Sequence, residues 1–201
     1  MAADDSRRTI GIVLFDGVEE LDAVGPWEVL AFWVQHFVSD EWRVVTLTHD
    51  GAPARCAKGL VIMPDHSFAT MPALEVLLYP GGQGTRPQLV DESVLGWVRS
   101  QRKSVPLLAS VCTGSLVFAA AGLLANRPAT THWASLDHLA ALDPTIEVRP
   151  DDRFVDDGDV ITSAGVSAGI DMALHLVDRL DGRARAQQVR RGIQYDPEPP
   201  V

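Results

Sequence analysis

A cysteine that follows a β-prone run and precedes an alanine-rich helical run can serve as a nucleophile, and Cys112 has this setting. The stretch Val105-Pro-Leu-Leu-Ala-Ser-Val-Cys-Thr-Gly-Ser115 breaks abruptly at Cys112-Thr113-Gly114-Ser115, and Leu116–Ala121 continues as an apolar helix. A strand that turns straight into a helix holds the turn residue tightly, with its side chain projecting from the sheet edge. It also aims helix N-terminal N–H groups at that side chain, which favours thiolate over thiol. Free cysteines are more often small buried hydrophobes, but the glycine and two hydroxyls after Cys112 serve no purpose in a plain core position. Cys56 lies in Ala54-Arg-Cys-Ala-Lys58 with no such surroundings and reads as structural or incidental.

Two further segments carry candidate chemistry. Pro80-Gly-Gly-Gln-Gly84 follows an apolar run and lacks the Gly-Lys-Ser/Thr ending of a phosphate cradle. Beside a nucleophile, its Gly81 and Gly82 amides would approach a substrate and stabilise developing negative charge. Asp22 lies in Glu19-Glu-Leu-Asp-Ala-Val-Gly-Pro26; Glu19 and Glu20 read as solvated surface, whereas Asp22 is placed to face the strand ends. An enclosed carboxyl group there has a raised pKa and can exchange protons. His132 closes the run Ala129-Thr-Thr-His132 and is a lesser candidate as proton acceptor for the thiol. His36, His49 and His66 are too scattered to be metal ligands, so no metal is expected.

These residues must be positioned by the elements around them. Thr9–Phe15, Trp42–Thr48, Leu74–Tyr79 and Val105–Val111 read as strands, with shorter ones at Ala129–His132 and Glu147–Arg149. Helical spacing covers 18–36, with Pro26 expected to kink or restart the helix. Further helices are expected over 91–103, over Ser135–Leu142 with Ser135 as cap, and over Gly169–Leu180 and Arg183–Arg191. Arg153–Thr162 reads as a hairpin about Asp157-Gly158. This alternation predicts an α/β fold, a mostly parallel sheet with helices on both faces. Ligands of such sheets bind beyond the carboxyl ends of the strands, where the loops after Phe15, Tyr79 and Val111 emerge.

The 201 residues fit a single domain over 1–201, with flexible tails at 1–8 and 196–201. A net charge of −10 argues against nucleic-acid binding, which needs a basic stripe. Residues 104–126 carry no charge and are long enough to span a bilayer, but their polar residues, glycines and Pro106 fit a buried strand and helix better. Two cysteines and no export signal point to a cytoplasmic protein without a disulfide framework.

The segments Gly11-Ile-Val-Leu-Phe15, Leu21-Asp22, Gly25-Pro26, Pro80–Gly84, Ser110–Ser115 and Ala129-Thr-Thr-His-Trp133 together resemble the ThiJ/PfpI superfamily of flavodoxin-like cysteine enzymes, whose domain is like that of class I glutamine amidotransferases. Within it the isocyanide (isonitrile) hydratases are similar in the Ser-Val-Cys-Thr-Gly-Ser-Leu-Val117 elbow, the Ala-Ala-Ala-Gly-Leu-Leu124 helix and Gly165-Val-Ser-Ala-Gly-Ile-Asp171. The resemblance implies a flavodoxin-like sandwich, a cofactor-free enzyme acting on a small molecule, and a homodimer; apolar helix faces such as 26–33 are candidates for its interface. It implies Cys112 as nucleophile, Asp22 as acid/base, Thr113 as hydrogen-bonding neighbour, and Gly81 and Gly82 along the pocket. Thr113 replaces the histidine that follows the cysteine in PfpI-type proteases, which weakens a Cys-His protease reading. The expected reaction is hydration of an isocyanide to a formamide through a Cys112 thioimidate. An amidase-like cysteine hydrolase and a redox-sensing domain are the alternatives.

Overall fold

The computed structural model describes residues 7–196. In chain order its elements are β1 (Arg8–Val13), α1 (Glu20–His36), β2 (Trp42–Thr48), β3 (Ala54–Arg55), β4 (Val61–Ile62), β5 (His66–Ser67), β6 (Val76–Tyr79), α2 (Thr85–Gln88) and α3 (Glu92–Gln101). Then follow β7 (Leu107–Val111), α4 (Gly114–Ala120), β8 (Pro128–Ala129), α5 (Leu136–Leu142), β9 (Glu147–Val148), β10 (Phe154–Asp156), β11 (Val160–Ser163), α6 (Ala168–Asp181) and α7 (Arg183–Gly192). The central sheet runs β10-β11-β7-β6-β1-β2-β5. All its pairings are parallel except β10 with β11, which forms the hairpin expected at Asp157-Gly158.

The interior strands are apolar on both faces because both are covered. On one side, Ile10 and Ile12 pack with Val29, Leu30 and Trp33 of α1 and Met172 and Leu176 of α6. On the other, Val13, Leu77 and Leu108 pack with Leu95, Val98, Leu116 and Phe118. The fold is therefore the flavodoxin-like sandwich, three layers deep. Residues 104–126 become a buried strand and helix, and among the described residues no helix is long and apolar enough to cross a membrane.

Several local expectations are corrected. α1 continues through Pro26, which is buried, so the proline neither ends nor restarts the helix. Of the face 26–33, Val29, Leu30, Ala31 and Trp33 are buried inside the protein. The exposed apolar side of α1 is instead Leu21, Val24 and Trp27, the last two lining an apolar groove with Leu60 and Ile62. Ala129–His132 is not a central strand: only Pro128–Ala129 pairs, with β9 in a separate two-stranded sheet. Ser135 makes no cap; His132 Nδ1 accepts from the Ala134 N–H (3.2 Å) to open a short 3₁₀ turn before α5. Asp91 caps α3 as expected, accepting from Ser93 N at 2.9 Å. Of the two tails expected to be flexible, residues 1–6 and 197–201 lie outside the described residues, while Arg8 already belongs to β1.

Candidate active site

The strand order places a topological switch between β1 and β6, because the chain moves outward to β2 and then returns to β6 and β7. Loops leaving neighbouring carboxyl ends diverge there and open a crevice. Asp22 arrives from the first turn of α1 after β1, Gly81 and Gly82 from the loop after β6, and Cys112 and Thr113 from the turn after β7. The structure thus gathers these predicted residues at one edge.

Cys112 has φ of 57°, a left-handed conformation that costs a non-glycine residue about 1–3 kcal/mol. Surrounding hydrogen bonds hold it there. Its N–H reaches Ser163 O (3.0 Å) and Ala164 O (3.2 Å), and its carbonyl accepts from Thr131 Oγ1 (2.8 Å) and Ser115 Oγ (3.0 Å). Ser115 and the Thr130-Thr131 segment therefore fix the turn, the latter by lying along the sheet edge rather than joining the sheet. Gly114 is required by close approach: a Cβ there would sit 2.1 Å from Tyr79 O. We expect Gly114→Ala to lower unfolding free energy by about 1–3 kcal/mol, the usual cost of overpacking, measured by chemical denaturation.

Asp22 is fully buried. Oδ2 accepts from Gly81 N and Oδ1 from Val166 N, both at 3.1 Å, and the carboxyl group lies beside the Cys112 thiol. Burial pushes its pKa up to about 6; the thiol and the two backbone N–H groups oppose this, while the Glu19 charge adds to it. Burial, reinforced by the Asp22 charge, drives the Cys112 thiol up to about 12, against the Thr113 and Val166 N–H groups that face the sulfur. The thiolate expected from a helix N-terminus is thus overturned. At neutral pH this is a thiol beside a carboxylate. Val166 itself has φ of 55°, unusual for a β-branched side chain.

The glycine amides also have a different use from the one expected. Gly81 N–H holds Asp22, and Gly82 N–H donates to Thr113 Oγ1 (2.9 Å), so neither is free for a developing anion. Gly81 has no room for a side chain: a Cβ would lie 2.4 Å from Thr113 N and 2.9 Å from Asp22 Oδ2. Thr113 Oγ1 is also 3.1 Å from Thr85 Oγ1, which accepts from Arg86 Nη1 (3.1 Å).

Cys112, Thr113, His132, Val166, Gly82, Gln83, Arg86 and Glu19 line a cavity of about 230 Å³. His132 reaches the cavity wall, but Asp22, not His132, partners the thiol. Glu19 and Glu20, expected on the solvated surface, are largely covered and ion-paired with Lys58. Cys56 is buried in the core between β3 and β4. No group of three or more His, Cys, Asp or Glu placed to hold a metal occurs among the described residues.

A strained cysteine turn beneath a glycine loop invites comparison with known proteins, and the model of the DJ-1/PfpI family matches residues 8–179. The chain belongs to the DJ-1/PfpI family. It is 42% identical over 192 residues to the isonitrile hydratase of Pseudomonas putida, covering 95% of this chain and 80% of that protein. A THiJ/PfpI family protein from Pseudomonas syringae superposes with a TM-score of 0.84 at 32% identity, over 97% of this chain and 78% of that one. The HTH-type transcriptional regulator GbdR of Pseudomonas aeruginosa is 29% identical over 94% of this chain, which spans about half (51%) of that regulator.

Sequence reasoning did not single out Val166, Thr131, Thr85, Gln83 or Arg86. Val166, Thr131 and Gln83 had a signal, since they lie in Gly165–Asp171, Ala129–Trp133 and Pro80–Gly84, the segments that carried the resemblance; Thr85 and Arg86 had none.

Proposed function

We propose that the protein is an isocyanide hydratase, converting R–N≡C and water to the formamide R–NH–CHO. The observation that carries this reading is the Cys112 thiol lining the cavity beside the fully buried carboxyl group of Asp22, whose pKa burial raises to about 6. The 42% identity to the Pseudomonas putida isonitrile hydratase supports the same reaction. Asp22 takes the thiol proton as sulfur attacks the terminal carbon, then delivers it to that carbon, leaving the thioimidate Cys–S–CH=N–R. Asp22 next takes a proton from water as its oxygen adds to the same carbon, and passes it to nitrogen. The tetrahedral adduct collapses: the C–S bond breaks, the hydroxyl proton returns to sulfur, and the formamide leaves. Dividing one difficult addition between two steps is the gain of covalent catalysis.

The alternatives fit less well. Amide hydrolysis needs donors for a carbonyl oxyanion, and both glycine amides are engaged. Peroxide sensing is fastest for a stable thiolate, whereas burial and Asp22 hold this thiol protonated. Incubation with cyclohexyl isocyanide and detection of N-cyclohexylformamide tests the proposal; absence of formamide would sink it.

Assembly as a homodimer belongs to the same proposal. Leu21, Val24 and Trp27, with Leu60, Val61 and Met63 on the β3–β4 side, are exposed apolar side chains that a second copy would cover. Light scattering is expected to give twice the chain mass, and Trp27→Glu to shift it towards monomer.

A further inference from the structure

One cation at the cavity is not used by the chemistry above. Arg86 follows the glycine loop, and its side chain lines the same cavity as Cys112. In a chain of net charge −10, arginines such as Arg99, Arg102, Arg127, Arg153, Arg179 and Arg185 are paired with carboxylates. Arg86, like Arg55 and Arg191, is not; exposed at the cavity, its one side-chain hydrogen bond among the described residues is to the neutral Thr85 Oγ1. That bond is part of the relay through Thr85 to Thr113 and Gly82, so the guanidinium is anchored to the reacting edge. Glu19 lines the same cavity and is ion-paired with Lys58. Gln83 lines the same cavity. A guanidinium held without a carboxylate offers a planar, two-pronged donor set to an oxyanion. A purely apolar substrate would make no use of it.

We propose that the substrate class is a small isocyanide bearing a carboxylate, with Arg86 and Gln83 binding the carboxylate while the isocyanide carbon meets Cys112. The proposal rests on the hydratase reading for its reacting group, but its anion site is separable. Arg86 is a specificity residue, acting on the far end of the substrate.

Two measurements test it. The first compares kcat/KM for 3-isocyanopropanoate with that for its methyl ester. The wild type is expected to prefer the acid at least tenfold, chiefly through KM, with the preference falling as salt rises. Arg86→Gln collapses the ratio to near one and Arg86→Lys retains part of it. The second needs no turnover: the rates of Cys112 alkylation by iodoacetate and iodoacetamide, read by mass spectrometry. The iodoacetate-to-iodoacetamide ratio is expected to fall at least fivefold in Arg86→Gln. An unchanged alkylation ratio, or an ester preferred by the wild type, overturns the proposal. Absence of formamide from every isocyanide, with the alkylation ratio still governed by Arg86, instead defeats the hydratase reading and leaves the anion site standing.

Discussion

Cys112→Ala is expected to abolish hydration, lowering kcat by at least roughly a thousandfold, because no other group can form the bond to the isocyanide carbon. Cys112→Ser is expected to fare little better, since a hydroxyl ionises far less readily than a thiol in the same buried position. Both variants should remain folded, because the turn is held by backbone bonds to Ser163 and Ala164 and by the Thr131 and Ser115 hydroxyls, not by the sulfur. Near-native circular dichroism and melting behaviour would establish this. Addition of a thiol to an isocyanide expels nothing, so rapid quenching of the wild type should trap Cys112 carrying the whole substrate mass. An amide hydrolase would lose the amine before that point. A variant with alanine at 112 and undiminished formamide production would end the nucleophile assignment.

Asp22→Asn is expected to cost about 10²–10⁴ in kcat, the range for loss of a positioned acid–base group. The sign of the pH dependence follows from the site. Asp22 must be ionised to take the thiol proton, and its pKa is raised to about 6, so kcat/KM of the wild type should rise through pH 6 and level off above 7. With the thiol near 12, sulfur supplies no second limb around neutrality. In Asp22→Asn the limb at pH 6 should vanish from the residual rate; a wild-type profile flat from pH 5 to 8 would remove Asp22 as the base. Stability moves the opposite way. A carboxyl with a raised folded-state pKa favours folding when protonated, fully so below its unfolded value of 3.8, and that contribution is lost as pH rises through 6. The difference of about two units amounts to on the order of 3 kcal/mol. Asp22→Asn should lack this slope, seen by comparing melting temperatures of the two proteins between pH 4 and 7.

Much of the framework was legible because its signals are local. The apolar runs at 9–15, 42–48 and 105–111 and the helical spacing between them are properties of short windows, and they marked the parallel sheet and the edge where its loops emerge. Pro26 misled the reading because a helix tolerates one missing hydrogen bond when its packing against the sheet and α6 holds it together. The strand at Ala129–His132 failed because Thr130 and Thr131 spend their hydrogen bonds on Thr162 and Cys112, not on a neighbouring strand.

By itself the sequence determined that Cys112 stands at a strand-to-helix turn, since residue type, the following glycine and the change of periodicity all lie within a dozen positions. Only the tertiary structure decided what that cysteine is chemically. Its protonation depends on burial, on Asp22 and on Val166, and the last two are joined across 144 residues. Ionisation follows from which distant groups exclude water and donate hydrogen bonds, and no window of sequence contains them. The same reason hid the diversion of the Gly81 and Gly82 amides to Asp22 and Thr113, and placed Arg86 beside the cavity.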